Sequence, residues 1–209
     1  MRRGSGDATI GARRVIRLIL PITPTCMLCS PVMNGLDNIA VILNRDGRDT
    51  SGMLADIAEA WRERGIGVVG VVAENDTDTT RTCSAGFLRD IATGRRYSVR
   101  LDTVPAETSC HLDAAGMASA CEELLGQIEA ADVVILSKFG KLEAMRQGLW
   151  PAFAAAFGSG KPVVTTVSAK HADAWKAVAP AAIWLDDDTG SVDRWWLKVR
   201  PEDTPSGND

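Results

Sequence analysis

The chain has 209 residues, 45% of them hydrophobic and 24% charged, which is enough apolar material for one domain with a full core. A formal net charge of −4 argues against a surface that as a whole binds nucleic acid or an anionic membrane, so any anion site has to be local. Five cysteines, an odd number scattered between Cys26 and Cys121, do not make the dense framework of a small secreted scaffold and fit a reducing cytoplasm.

Residues 1–36 differ in character from the rest of the chain. The apolar run Val15 to Leu20 is broken by Arg17 and followed by Pro21 and Pro24, which leaves it too short for a membrane span. Met33-Asn34-Gly35-Leu36 would open a chain just before the first convincing strand, so a misassigned start is expected, with a single domain over 37–200. Cys26-Met27-Leu28-Cys29 has metal spacing but no second pair. Residues 201–209 are expected to form a disordered tail.

Asn38 to Leu43 is a buried-type strand, followed by the polar turn Asn44 to Thr50 and a helix from Ser51 whose Met53, Leu54, Ile57, Ala60 and Trp61 share one face. Gly65 sits where a C-terminal cap belongs, and Gly67 to Val72 is a second buried strand. Phe87 to Ile91 and Arg96 to Val99 flank Thr93-Gly94 and predict a short hairpin. From Asp113, an N-cap, the stripe Met117, Cys121, Leu124, Leu125 and Ile128 predicts a helix with Cys121 as a small core residue.

The run Ala131 to Leu136 is a strand predicted to end at Ser137 and enter the loop Ser137-Lys138-Phe139-Gly140-Lys141-Leu142-Glu143. Pro151 can open a helix that Gly158 closes, Pro162 to Val167 is another parallel-type strand, His171 to Ala179 a helix, and Ala182 to Leu185 a last strand before a helix carrying Trp195-Trp196. Strands alternating with helices predict a parallel sheet flanked by helices on both faces, with the hairpin as an antiparallel addition.

Ligands of such sheets bind beyond the carboxyl ends of the strands. The first turn, Asn44 to Ser51, stands where a phosphate loop would, but has one glycine and no lysine, and its Asp46 and Asp49 would repel phosphate. It reads as a polar turn with Thr50 or Ser51 capping the helix, while Arg45 and Arg48 retain weaker anion binding. Gly158-Ser159-Gly160-Lys161 resembles half a phosphate loop but lies between a helix and a strand, the reverse of the required order. The loop after the 131–136 strand carries Ser137, Lys138, Lys141 and Glu143; the lysines suit an anion, and Glu143 suits a helix start. Cys83, Cys110 and His111 are further metal or oxyanion ligand candidates, and His171 reads as an exposed residue at a helix start.

Three segments together, Ala85-Gly86-Phe87-Leu88 with Asp90 to Arg96, Ser109-Cys110-His111-Leu112-Asp113, and Ser137 to Ala144, resemble a bacterial family known as domain of unknown function 2478. The resemblance spans about Asn38 to Trp196. The family is often encoded beside molybdate-transport genes, its members are sometimes labelled molybdenum ABC-transporter ATP-binding proteins, and it is itself similar to small thermophilic-type P-loop nucleoside-triphosphatases. Those enzymes carry an acidic pair before a Gly-Lys-hydrophobic-Glu segment, matched here by Gly140-Lys141-Leu142-Glu143; Ser137 and Lys138 stand where the acids would be.

The resemblance implies a P-loop-NTPase-like α/β fold and a cytoplasmic protein that has lost hydrolysis and binds molybdate, tungstate, a nucleotide phosphate or a molybdenum-handling partner protein. Lys138, Lys141, Arg45, Arg48 and Ser137 are the expected anion contacts, lined by Cys83, Cys110 and His111. Two alternatives stay open. One is a surviving Mg-nucleotide triphosphatase, with Glu143 or Asp132 assisting a metal or water; the other is a structural adaptor using the tryptophan-rich end. No nucleic acid partner and no membrane span are expected, and an oligomer is compatible with the sequence.

Overall fold

The computed structural model describes residues 38–45, 49–74, 86–99 and 113–200. The chain's contacts cluster into two units, 1–32 and 33–209, and every described residue belongs to the second. Four apolar, largely β-branched runs form strands: β1 (Ile39–Asn44), β2 (Val68–Glu74), β5 (Val133–Phe139) and β6 (Val163–Ser168). With the short β7 (Ile183–Leu185) they make five parallel strands, and β3 (Phe87–Asp90) and β4 (Arg96–Ser98) add the antiparallel hairpin to the free edge of β2. The sheet order is β4-β3-β2-β5-β6-β1-β7.

Near-continuous apolar strands need cover on both faces, and helices supply it. On one face α1 (Thr50–Glu63) and α6 (Thr189–Val199) bury Leu54, Ile57, Trp61, Val192, Trp195 and Trp196. Trp61 and Trp196 lie 5.2 Å apart between ring centres, so the tryptophan pair packs the last helix down. On the other face lie α2 (Ala114–Gln127), α4 (Trp150–Ser159) and α5 (Ala172–Val178). There Phe139 of β5 meets Phe153 and Trp175 edge-on.

Several local expectations shift by a residue or two. Asp49, not Thr50 or Ser51, caps α1, its Oδ1 accepting from the Gly52 amide at 2.9 Å. The fourth helix runs through Gly158 to Ser159 and is closed by Gly160 in the left-handed conformation, which frees the helix from stopping at the first glycine. Leu125 is 42% exposed, so the buried stripe of α2 is Met117, Ala120, Cys121 and Leu124. The strand expected to end at Ser137 continues to Phe139.

The hairpin is held close to α2. Tyr97 donates its hydroxyl to Glu123 Oε2 at 2.6 Å, and Gln127 Nε2 donates to the buried Asp90 at 2.8 Å. At Gly116 the helix approaches so closely that a Cβ would collide with the Ser98 carbonyl, whereas a Cβ at the exposed Gly126 of the same helix meets nothing within 4 Å. Gly116→Ala is therefore expected to destabilise the fold by about 1–3 kcal/mol. Gly126→Ala is expected to leave stability unchanged or raise it by up to about 1 kcal/mol, and urea-denaturation midpoints of the two variants measure the contrast.

Candidate functional site

The site forms where β5 leaves regular pairing. Leu136 pairs with Thr165 and Phe139 with Val167, so Ser137 and Lys138 together face the single residue Thr166 of β6. This is a β-bulge, which redirects side chains at a strand end. The Ser137–Lys138 peptide bond is cis. Ser137 is 1% exposed and its Oγ lies 2.9 Å from Ser51 Oγ in the first turn of α1. That hydrogen bond joins the bulged end of β5 to the start of the helix after β1.

Two more hydroxyls lie near these strand ends. Thr50, in the first turn of α1, and Thr166 are buried, and neither hydroxyl oxygen has a hydrogen-bond partner among the described residues. Alternation along β6 puts Thr166 on the face of Val164, which packs with the α1 side chains. A buried hydroxyl without a partner carries a desolvation cost of about 1–3 kcal/mol, which a ligand accepting or donating there would offset.

Beyond β5 the chain turns through α3 (Lys141–Ala144) to Leu149. Glu143 holds this turn together. One carboxylate oxygen accepts from the Gly140 amide at 3.0 Å and the other from the Leu149 amide at 3.0 Å. Gly148 has φ 62, and a Cβ there would press on Glu143 Oε1 and Met117 Sδ at 2.7 Å. Arg146, also at positive φ, lays its guanidinium 3.8 Å from the ring centre of Trp150.

A cavity of about 240 Å³ opens beside this turn, at the carboxyl ends of β2 and β5. Lys138, half-buried, and Lys141, exposed, both line it, together with Ser137, Glu143 and a set of apolar side chains. Ser137, Lys138, Lys141 and Glu143 thus come together as one site. Arg45 is exposed in the turn after β1, while Arg48, Cys83, Cys110 and His111 lie outside the described residues. Asp132 is at the opposite, amino end of β5, where its carboxylate accepts from the Gly67 amide at 2.7 Å, too far along the strand to assist a metal or water at this site. Among the described residues no three His, Cys, Asp or Glu side chains converge as metal ligands.

His171, read from the sequence as exposed, is half-buried. Its Nδ1 lies 3.0 Å from Ser168 Oγ. The only sequence signal was a serine three residues earlier at a strand end.

The strand order and the two helical layers define an α/β protein, a mixed seven-stranded sheet flanked by helices, with serine and lysine near the end of β5 and an aspartate capping the helix after β1. Residues 39–195 match the family described as "Protein of unknown function (DUF2478)", and the chain belongs to it. A curated relative, the molybdenum import ATP-binding protein ModC 2 of Bradyrhizobium diazoefficiens, is 34% identical over 163 residues. That match takes in 77% of this chain but only 18% of the relative, so the chain spans about a fifth of that protein's length. Among solved structures, a human cancer-related nucleoside triphosphatase superposes with a TM-score of 0.54 at 14% identity, over 77% of this chain and 94% of that one, a likeness of fold.

Burial pushes the Glu143 carboxyl above its ordinary value of 4.5, against the amides of Leu149 and Gly140 and the charge of His171, which favour the ionised form. A carboxyl raised in the folded state adds stability that is fully present below its unfolded value and lost as pH rises through the folded one. Glu143→Gln removes that titration along with one of the two acceptors for backbone amides. The melting temperature of wild type relative to the variant is expected to be highest at pH 4 and to fall as pH is raised toward 8. Thermal melts of the pair across that range measure it; a constant gap would show that Glu143 does not titrate differently on folding.

Proposed function

We propose that this DUF2478 protein is a P-loop-NTPase-like fold turned to anion binding in molybdenum handling, with nucleotide hydrolysis lost. The observation that carries the reading is the Ser137–Lys138 bulge, held to the α1 start by the Ser51 hydroxyl, with Lys141 beside it. An anion here meets a half-buried ammonium and an exposed one, where charge-assisted hydrogen bonds are stronger than neutral ones.

Hydrolysis would need different groups. A magnesium-dependent triphosphatase places an acidic residue at the end of this strand, where the chain has Ser137 and Lys138. The first turn of α1 is already served by the Asp49 carboxylate, which takes the Gly52 amide and sets negative charge where a phosphate would approach. The molybdenum connection is carried by the name of the curated relative, and molybdate or tungstate is the oxyanion to test first.

Thermal stability against molybdate, tungstate, sulfate, inorganic phosphate and Mg-ATP at matched ionic strength tests the reading. An anion at about a hundred times its dissociation constant adds roughly 2.7 kcal/mol, a clear rise in melting temperature. The double variant Lys138→Met, Lys141→Met is expected to retain the fold and lose the rise. An unchanged response in that variant overturns the assignment, and magnesium-dependent phosphate release from ATP that disappears in Glu143→Gln would establish the triphosphatase instead.

A further inference from the structure

The cavity beside the lysine turn is larger and more apolar than an inorganic anion needs. Its volume of about 240 Å³ is many times the ~30 Å³ of a liquid water and approaches the lower end of small-molecule pockets, about 300–1,000 Å³. Its apolar walls come from Ala73 on β2, Leu88 on β3, Val99 just after β4, Met117 on α2, and Leu142 and Leu149 of the lysine turn. The polar groups gather on the β5 and α3 side.

A bare oxyanion drawn into that space would give up its hydration for hydrocarbon, which is costly without compensating hydrogen bonds. The same walls reward an apolar group, at about 25 cal/mol for each Å² removed from water. Binding sites that join a mostly apolar cavity to a few convergent polar groups orient a ligand by its charged end and hold it by its body. Resting on the anion-binding reading of Lys138 and Lys141, we infer that the ligand of this site is a small organic acid with an apolar, ring-sized body, whose anionic group meets the two lysines while the body fills the cavity between the β3–β4 hairpin, α2 and the 140–149 turn.

The test compares methyl phosphate with 1-naphthyl phosphate, two monoesters with the same charged group, by titration calorimetry at matched pH and ionic strength. The naphthyl ester is expected to bind at least tenfold more tightly, which is about 1.4 kcal/mol. Ala73→Leu, which fills the cavity, is expected to remove most of that gain and leave methyl phosphate affinity unchanged. Met145→Ser, at a cavity residue that is 55% exposed and so tolerant of change, is expected to reduce the gain severalfold and guards against misfolding of the first variant.

Equal affinity for the two esters overturns the inference and leaves the anion-binding reading standing. A naphthyl preference that neither variant alters also overturns it, because the body would then lie elsewhere. Naphthyl phosphate binding that survives Lys138→Met with Lys141→Met overturns the anion-binding reading itself, and binding of neither ester overturns both.

Discussion

The amides of Gly140 and Leu149 both donate to the carboxylate of Glu143, and this pair of bonds gives the turn after β5 its shape. The turn is short, and a carboxylate that gathers backbone donors from both of its ends ties it together alongside the packing of Leu142 and Leu149. Gly148 is required because the space beside it is taken by that carboxylate and by Met117. With the turn fixed, Lys138 and Lys141 are set along one cavity and Leu142 and Leu149 become its wall.

The sheet separates two kinds of support for that arrangement. One face is a hydrophobic seal, with α1 held by Trp61 and the tryptophan-rich α6; Trp61 also donates its indole N–H to Asp193 at 2.6 Å, fixing the angle between those helices. The other face carries the aromatic cluster of Phe139, Phe153, Phe157 and Trp175, directly below the point where β5 ends. Phe139 is the last residue of β5 and is fully buried, so the strand cannot lift after the bulge. The polar Ser137–Lys138 step is thereby held between buried Leu136 and buried Phe139.

Much of this was legible in the sequence. The four central strands are continuous apolar runs bounded by polar turns, and such runs have few alternatives to a parallel sheet covered on both faces. Trp195 and Trp196 read as core, and Cys121 as a small buried residue, because each sits on an apolar stripe. The start of α1 was harder, since Asp49, Thr50 and Ser51 can all cap a helix and only the geometry selects among them. Lys138 was read as a loop residue because a bulge depends on how many residues the partner strand offers, a fact stored in β6 and absent from the run itself. The brace by Glu143 has the same origin: its reach to the Leu149 amide obeys no helical or strand period.

The sheet's borders have a consequence for how such a unit behaves among other proteins. Among the described residues the outermost strands, β4 and β7, are three residues long, and β7 runs directly into Asp186, Asp187 and Asp188. An incoming strand would find only a few backbone groups to pair with and then a cluster of like charges, a device that discourages edge-to-edge growth. A sheet that ends this abruptly on both sides can sit at high local concentration, or tethered within a much longer polypeptide, and still keep its hydrogen bonding to itself.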